Sequence, residues 1–118
     1  MAIEINIRTI EENITVVELT GDIDASTAPK VSEEILPLAT PECKILINMS
    51  NVPYMSSAGL RTLLSLYRQT QAKKGKVVLV GLSEDLQDTM SVTGFLDFFA
   101  TAENVESGMA TLKSIIDN

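Results

Sequence analysis

Two short runs of unbroken apolar residues constrain the fold of this chain more than any other feature. Ile45-Leu46-Ile47 lies within a segment from Lys44 to Asn48, and Val77-Val78-Leu79-Val80 lies within a segment from Lys76 to Val80. A strand in which apolar residues do not alternate with polar ones is typical of burial on both faces, as in a parallel sheet covered by helices. Because helical patterns separate the strand patterns, the sequence predicts βαβ units and a mostly parallel sheet.

The first twenty residues predict a pair of antiparallel strands. Within residues 1–10, Ile3, Ile5 and Ile7 alternate with polar side chains, which predicts an edge strand with one solvated face. Residues 11–13 predict a turn. The segment Ile14–Thr20 is more apolar and predicts a strand deeper in the sheet. The short connection between the two strands favours antiparallel pairing.

Four later segments have the apolar spacing of helices. The predicted inner faces consist of Ala28, Val31, Ile35 and Leu38 in the first helix, Leu60, Leu63, Leu64 and Tyr67 in the second, Leu86 and Met90 in the third, and Val105, Met109, Leu112 and Ile116 in the fourth. Thr62 lies outside the predicted stripe of the second helix.

Turn-forming and capping residues predict where these helices begin and end. Pro37 should stop the first helix near Leu36. Gly75 should end the second helix in a left-handed conformation, and Gly94 should end the third. Thr101 is the expected cap of the last helix. The apolar segment Phe95–Phe99 predicts a short final strand.

The composition excludes several classes of function. A chain of 118 residues fits one domain, here expected to span 1–118, and its 45% hydrophobic content suffices for a core. The net charge of −7 argues against nucleic acid and against an anionic membrane surface as partners. The chain has no histidine, which removes Ser-His-Asp and Cys-His catalysis and most zinc sites.

Other motifs of enzymes and exported proteins are also lacking. The sequence has no Gly-x-Ser-x-Gly elbow and no phosphate loop followed by lysine, so we expect neither an enzyme nor a cofactor. The one cysteine, Cys43, suits a reducing compartment and is expected to be buried. Acidic residues interrupt the start of the chain and no apolar run approaches the length of a membrane span, which favours a cytoplasmic location.

The turn between the first apolar run and the second helix carries the most specific chemistry. It contains Ser56, Ser57 and Gly59, and a helix beginning here leaves backbone N–H groups free to favour an anion. We therefore hypothesise that Ser57 is a phosphorylation switch rather than a nucleophile. The alternative is that Ser56-Ser57 is a plain helix cap and that Gly59 only permits close packing.

A second polar turn, Gly21-Asp22-Ile23-Asp24, follows another predicted strand. In open sheets of parallel strands, ligands and partners gather beyond the carboxyl ends of the strands. We therefore expect this turn to lie beside the turn at Tyr54–Gly59. Asp22 and Asp24 are either turn and capping residues or residues that face a partner.

Taken together, these motifs resemble those of the STAS family, and in particular the small single-domain anti-sigma factor antagonists of bacteria. The resemblance covers nearly the whole chain and includes Gly21-Asp22-Ile23-Asp24, Tyr54-Met55-Ser56-Ser57-Ala58-Gly59-Leu60, the strand end at Val77–Gly81 and the turn at Ser91–Gly94. The family's second turn usually reads Met-Asp-Ser-Ser-or-Thr-Gly-Leu, with the serine after the aspartate phosphorylated. That serine is Ser57 here, while Ser56 replaces the aspartate and Ala58 replaces a common hydroxyl.

The resemblance implies a mixed, mostly parallel α/β sheet with helices packed mainly on one side. It also implies that the unphosphorylated protein binds an anti-sigma factor of the GHKL serine kinase type and thereby releases a sigma factor. Phosphorylation by that kinase would switch the antagonist off, and a PP2C-type phosphatase would restore it. The residues expected to bind the partner are Asp22, Asp24, Tyr54, Met55, Ser56, Ser57, Ala58, Gly59 and Arg61. The alternative is a STAS signalling protein or transporter accessory subunit with a different partner.

Overall fold

The computed structural model describes residues 3–11 and 14–116 of the chain, in which strands and helices alternate after an initial pair of strands. In chain order the elements are β1 (Glu4–Glu11), β2 (Ile14–Thr20), α1 (Ala28–Ile35), β3 (Lys44–Asn51), α2 (Ser57–Ala72), β4 (Lys76–Val80), α3 (Glu84–Val92), β5 (Ala100–Ala102) and α4 (Val105–Ile116). Short 3₁₀ helices occupy Leu36–Leu38 and Phe95–Phe98. Glu11 lies in β1 rather than in the predicted first turn. Residues 12 and 13 of that turn, residues 1 and 2 of the predicted first strand and the side chain of Ile116 lie outside the described part of the chain.

The five strands form one mixed sheet in the order β1-β2-β3-β4-β5. The edge strand β1 runs antiparallel to β2, and every other neighbouring pair is parallel. The edge position of β1, its antiparallel pairing and the mostly parallel sheet are therefore confirmed. The strand β3 is three residues longer than predicted, because Asn51 pairs with Thr20 beyond a shift in the register of β2 and β3.

Both faces of the sheet are covered, which accounts for the unbroken apolar runs. Ile45 and Ile47 in β3 belong to the larger core, whereas Leu46 between them belongs to a smaller core on the opposite face. Successive side chains of a strand point to opposite faces, so each residue of such a run is buried on one side or the other.

Three helices cover the larger core and one helix covers the smaller core. The larger core contains Ala28, Val31 and Ile35 of α1, Leu60, Leu63 and Leu66 of α2, and Leu86 and Met90 of α3. The smaller core contains Leu112 of α4, with Val105 and Met109 packed against it. The prediction of helices packed mainly on one side is confirmed.

The helix α2 buries a broader face than its predicted stripe. Leu64 and Tyr67, expected inside, are only half-buried, whereas Leu66 is fully buried. Thr62, expected outside, is also buried. Its hydroxyl donates a hydrogen bond of 3.1 Å to the carbonyl of Ala58, which compensates for the loss of water.

The end of α2 differs from its prediction because the glycine serves a different purpose. Lys74, not Gly75, has the left-handed conformation, with φ of 61°. A Cβ on Gly75 would lie 2.5 Å from Sγ of Cys43 and 2.9 Å from its carbonyl oxygen. Gly75 is therefore required by close packing against the start of β3, where Cys43 is buried as expected.

The predicted strand at Phe95–Phe99 is wrong. Gly94, with φ of 82°, ends α3 as expected, and Phe95–Phe98 then form a 3₁₀ helix. The rings of Phe98 and Phe99 each lie 5.5 Å from the ring of Tyr67, so this apolar segment packs on α2 instead of entering the sheet. The last strand follows at Ala100–Ala102, which pairs with β4.

The predicted cap of the last helix is also wrong, because Thr101 lies within β5. Asn104 takes this role: its Oδ1 accepts a hydrogen bond of 2.9 Å from the backbone N–H of Ser107. Ser107 Oγ accepts one of 3.2 Å from the backbone N–H of Asn104 in return. This reciprocal pair satisfies two donors at the start of α4.

Candidate functional site

Two polar turns meet at the carboxyl ends of β2 and β3, as predicted. The backbone N–H of Gly21 donates to the carbonyl of Asn51 at 3.0 Å, and that of Ile23 donates to Tyr54 at 3.0 Å. The N–H of Ser56 donates back to the carbonyl of Ile23 at 2.8 Å. Ile23 thus forms an isolated parallel bridge with the second turn. The two turns are consequently held together by main-chain hydrogen bonds.

Buried residues fix the second turn from beneath. Met55 is 4% exposed and belongs to the larger core. A Cβ on Gly59 would lie 2.5 Å from Cγ of Met55, 2.8 Å from Cγ2 of Ile23 and 2.9 Å from the carbonyl oxygen of Ile23. Close packing therefore accounts for Gly59, and Met55 anchors the turn as a core residue.

Ser57 is the first residue of α2, and its side chain is exposed. The backbone of the preceding residue, Ser56, is extended, with φ of −84° and ψ of 178°, as is usual just before a helix. The first N–H groups of a helix have no partner within it, and the helix dipole makes this end favourable for negative charge. The geometry therefore displays a hydroxyl to solvent where an added phosphate would be tolerated.

Ser56 occupies the capping position without using its side chain as a cap. Its hydroxyl makes no capping hydrogen bond. Oγ is buried and has no hydrogen-bond partner among the described residues. Ser56 therefore caps the helix with its backbone conformation and not with its side chain. Its buried hydroxyl, which is unpaired among the described residues, lies next to Ser57 in the chain.

The two aspartates of the first turn have different roles. Oδ1 of Asp24 accepts hydrogen bonds from Oγ of Ser26 at 2.6 Å, from the N–H of Ser26 at 2.9 Å and from the N–H of Thr27 at 3.2 Å. The bonds from Ser26 are the main cause that lowers the pKa of Asp24 below its ordinary value. Asp24 thus acts as a turn and capping residue, whereas the Asp22 side chain is exposed.

Thr27 and Ile23 support the site in ways that the sequence interpretation missed. The hydroxyl of Thr27 donates to the carbonyl of Asp22 at 2.8 Å and accepts from the N–H of Asp24 at 2.9 Å. The carbonyl of Ile23 joins the two turns. For Ile23, the signal in the sequence is a single apolar residue between two aspartates, which is typical of a side chain that points into the core.

The predicted partner-binding residues divide by exposure. Exposed side chains belong to Asp22, Tyr54, Ser57 and Arg61, half-buried ones to Asp24, Ser56 and Ala58, and buried positions to Met55 and Gly59. Tyr54 is 54% exposed, which is unusual for a large aromatic residue. The site is therefore a surface presenting one ring, one hydroxyl and charges of both signs.

A metal site and a membrane span each have requirements that can be compared with the described residues. Within it, no three histidine, cysteine, aspartate or glutamate residues lie close enough to hold a metal ion. None of its helices combines the length and apolarity needed to cross a bilayer.

Comparisons with known proteins agree with this geometry. A sequence profile of the STAS domain matches residues 4–108. An anti-sigma-B factor antagonist of Listeria monocytogenes is 33% identical over 92% of this chain and 96% of its own length. One from Bacillus subtilis is 29% identical over 92% of this chain and 99% of its own. The phosphorylated Bacillus cell fate determinant SpoIIAA superimposes with a TM-score of 0.71 at 18% identity, over 92% of this chain and 99% of that one.

Proposed function

This chain belongs to the STAS domain family, and from that premise we propose that it is an anti-sigma factor antagonist switched off by phosphorylation of Ser57. In the unphosphorylated state it binds an anti-sigma factor that is a serine kinase of the GHKL type, and a sigma factor is released. The kinase modifies Ser57, and a PP2C-type phosphatase reverses the modification. This role places the protein in the cytoplasm, where transcription occurs.

The observation that carries the proposal is the exposure of Ser57 at the first position of α2. The curated relatives are named anti-sigma-B factor antagonists, regulatory binding proteins rather than enzymes. A kinase can reach an exposed hydroxyl without unfolding the domain. The surrounding surface, with exposed Asp22, Tyr54 and Arg61, offers the mixed aromatic and charged character that protein interfaces favour.

A phosphate on Ser57 would change the charge of this surface rather than the fold. It adds about −1.5 to −2 charges at neutral pH. The unpaired N–H groups at the start of α2 tolerate this charge, so the domain need not rearrange. A partner packed on both turns would have to desolvate it together with the exposed carboxylate of Asp22. An uncompensated buried charge costs several kcal/mol, on the order of a thousandfold in affinity.

Arg61 is too exposed to cancel this effect. It lies one helical turn beyond Ser57 and is the cation nearest to it in the sequence. An exposed ion pair contributes only about 0–1 kcal/mol, because solvent screens it. The net effect of the phosphate on partner binding therefore remains strongly unfavourable.

Binding measurements on Ser57 variants test the proposal. Ser57→Ala should bind the anti-sigma factor like the unmodified protein in the absence of ATP. Ser57→Asp should bind at least about a hundredfold more weakly, since it carries a smaller charge than phosphate. Isothermal titration calorimetry measures both affinities. Equal binding of the two variants would contradict the proposal.

The matched control is Ser65→Asp, which adds the same charge to an exposed position of the same helix. Eight residues of α-helix place it about 12 Å from Ser57 along the axis. It should bind like the unmodified protein, which separates local desolvation from a general effect of net charge.

Partner identity is tested by recovering bound proteins from a bacterial lysate and mapping phosphate by mass spectrometry. Recovery of a GHKL-type kinase, with phosphate on Ser57 and none on the Ser57→Ala variant, supports the proposal. Recovery of a transporter instead supports the alternative role as an accessory subunit.

A further inference from the structure

The outer edge of the sheet at β1 is unusually open. Within the described residues, no strand pairs with the outer side of β1, which is eight residues long. It contains no proline, and its charged residues Glu4, Arg8 and Glu11 carry both signs, so a strand of matching charge could pair with them. Ile7 and Ile10 on this strand are 37% and 41% exposed. A long edge with exposed isoleucines is a template for pairing with another strand.

The shape of the edge limits where such pairing can occur. The register with β2 shifts between Thr9 and Glu11, so the regular part of the strand ends at Thr9. A shift of this kind bends the strand and increases its twist. Regular pairing is therefore confined to the segment before it.

Symmetry further limits how two copies of β1 could pair. A two-fold axis perpendicular to the sheet gives antiparallel strands and keeps every side chain on its own face. Each residue then lies opposite one that is an even number of positions away, because side chains alternate between faces. The possible registers therefore place one residue of β1 opposite itself, on the axis.

One register matches both charge and apolarity. With Asn6 on the axis, Glu4 lies opposite Arg8 of the second copy at both ends, and Ile5 lies opposite Ile7 of the second copy. With Ile5 on the axis, Glu4 lies opposite Asn6, and with Ile7 on the axis, Glu4 lies opposite Ile10, so neither register pairs opposite charges. With Arg8 on the axis, two like charges lie opposite each other, which is destabilising.

We propose that β1 pairs with β1 of a second copy across a two-fold axis at Asn6, joining the two sheets into one. Ile5 already packs against the larger core, which contains Ile3, and Ile7 points to the same face of the sheet. Pairing covers the exposed part of Ile7 with Ile5 of the second copy and so extends the core across the interface. The paired segment, residues 4–8, stops before the register shift after Thr9, and the carbonyl of Ile3 just ahead of it already accepts a hydrogen bond of 3.3 Å from Nζ of Lys30.

The existing ion pair of Arg8 is compatible with this interface. Its guanidinium lies 3.7 Å from the carboxylate of Glu18, and the two side chains are 57% and 40% exposed. A guanidinium has five N–H donors, so it can bind Glu18 and Glu4 of the second copy together. The dimer therefore adds a partner for Arg8 without breaking the first pair.

Charge reversal at both positions tests the register. Sedimentation equilibrium should show that wild-type protein dimerises, and that Glu4→Arg and Arg8→Glu each raise the dissociation constant of the dimer at least about tenfold. The double variant should return to within about threefold of wild type, because opposite charges again face each other. Glu106→Arg and Arg68→Glu, on exposed helical positions, make the same charge changes elsewhere and should have no effect.

Several outcomes overturn the proposal. The proposal is overturned if wild-type protein stays monomeric at about 1 mM, a concentration that would populate even a weak dimer. The edge of β1 would then be expected to pair with a different partner. Single variants that dimerise like wild type, or a double variant weaker than either single variant, exclude this register.

Disulfide cross-linking gives a second readout that does not depend on these charges. In the proposed register the two Asn6 residues face each other with Cβ atoms about 4.5–5.5 Å apart, near the reach of a disulfide. Asn6→Cys should form covalent dimers on mild oxidation. In Thr9→Cys the two thiols lie six residues apart along the strands, about 20 Å, and should cross-link at least tenfold more slowly. Equal rates for the two variants would contradict the register.

Cys43 should not interfere with this experiment. It is 5% exposed, and burial raises the pKa of its thiol, which disfavours the reactive thiolate. Wild-type protein supplies the background rate.

Discussion

Replacing Gly59 by alanine tests how tightly the two turns are packed. The new Cβ would meet Cγ of Met55 at 2.5 Å and Cγ2 of Ile23 at 2.8 Å. Side chains can move, but the third contact, at 2.9 Å, is the carbonyl oxygen of Ile23. This oxygen accepts the 2.8 Å hydrogen bond from Ser56 that joins the turns. Relief of the clash therefore strains or breaks that bond.

The expected magnitude follows from three contributions. Overpacking a filled site costs about 1–3 kcal/mol. Weakening the hydrogen bond between the turns costs about 1 kcal/mol. Alanine is favoured over glycine within a helix by about 1 kcal/mol, and this offsets part of the cost. We expect Gly59→Ala to lower the free energy of unfolding by about 1–3 kcal/mol.

Urea denaturation of wild type and variant measures this change. The pair Ser65→Gly and Ser65→Ala, at an exposed position of α2, reports the preference for alanine over glycine in the same helix without new contacts. A Gly59→Ala protein that is as stable as wild type, or more stable, would refute the packing argument.

Two further predictions concern the ends of helices and a titrating carboxylate. Ser83→Ala should lower the free energy of unfolding by about 1 kcal/mol, because Oγ of Ser83 accepts a hydrogen bond of 3.2 Å from the N–H of Leu86. Ser56→Ala should be neutral or stabilising, because the buried Ser56 hydroxyl has no partner among the described residues. Equal losses for the two variants in urea denaturation would refute this contrast. The folded-state pKa of Asp24 is lowered, so its carboxylate stabilises the protein above the unfolded pKa of about 3.9, and this contribution is lost as the pH falls through the folded pKa. The stability difference between wild type and Asp24→Asn should therefore shrink below about pH 4, and a difference independent of pH would contradict the assignment.

The elements predicted well were those whose signal lies within a few residues. The apolar runs of β3 and β4 reflect burial on both faces, which removes the alternation seen in half-exposed strands. The expected parallel sheet also predicted that the turns after β2 and β3 lie together, since parallel strands end at the same edge. The exposure of Ser57 follows from its position at the start of a helix at that edge.

The errors arose where the same residue type serves two purposes. The aromatic-rich segment at 95–99 suits a strand equally well as a 3₁₀ helix, and its tertiary packing, which includes the contact of Phe98 with Tyr67 of α2, decides between them. A glycine such as Gly75 suits a left-handed helix end equally well as a site where another chain segment packs closely against the backbone. The contact with Cys43 shows that close packing is its role here. The unpaired hydroxyl of Ser56 depends on its side-chain orientation, which no local pattern reveals.

The bridge between Ile23 and Met55 has an evolutionary consequence. Because each turn supplies backbone partners to the other, neither can change its shape alone. We expect substitutions at 21–24 and at 54–59 to covary among homologous sequences, with the two loops inherited as one unit. Transplanting a single loop from a relative should impair the domain, whereas exchanging both together should preserve it.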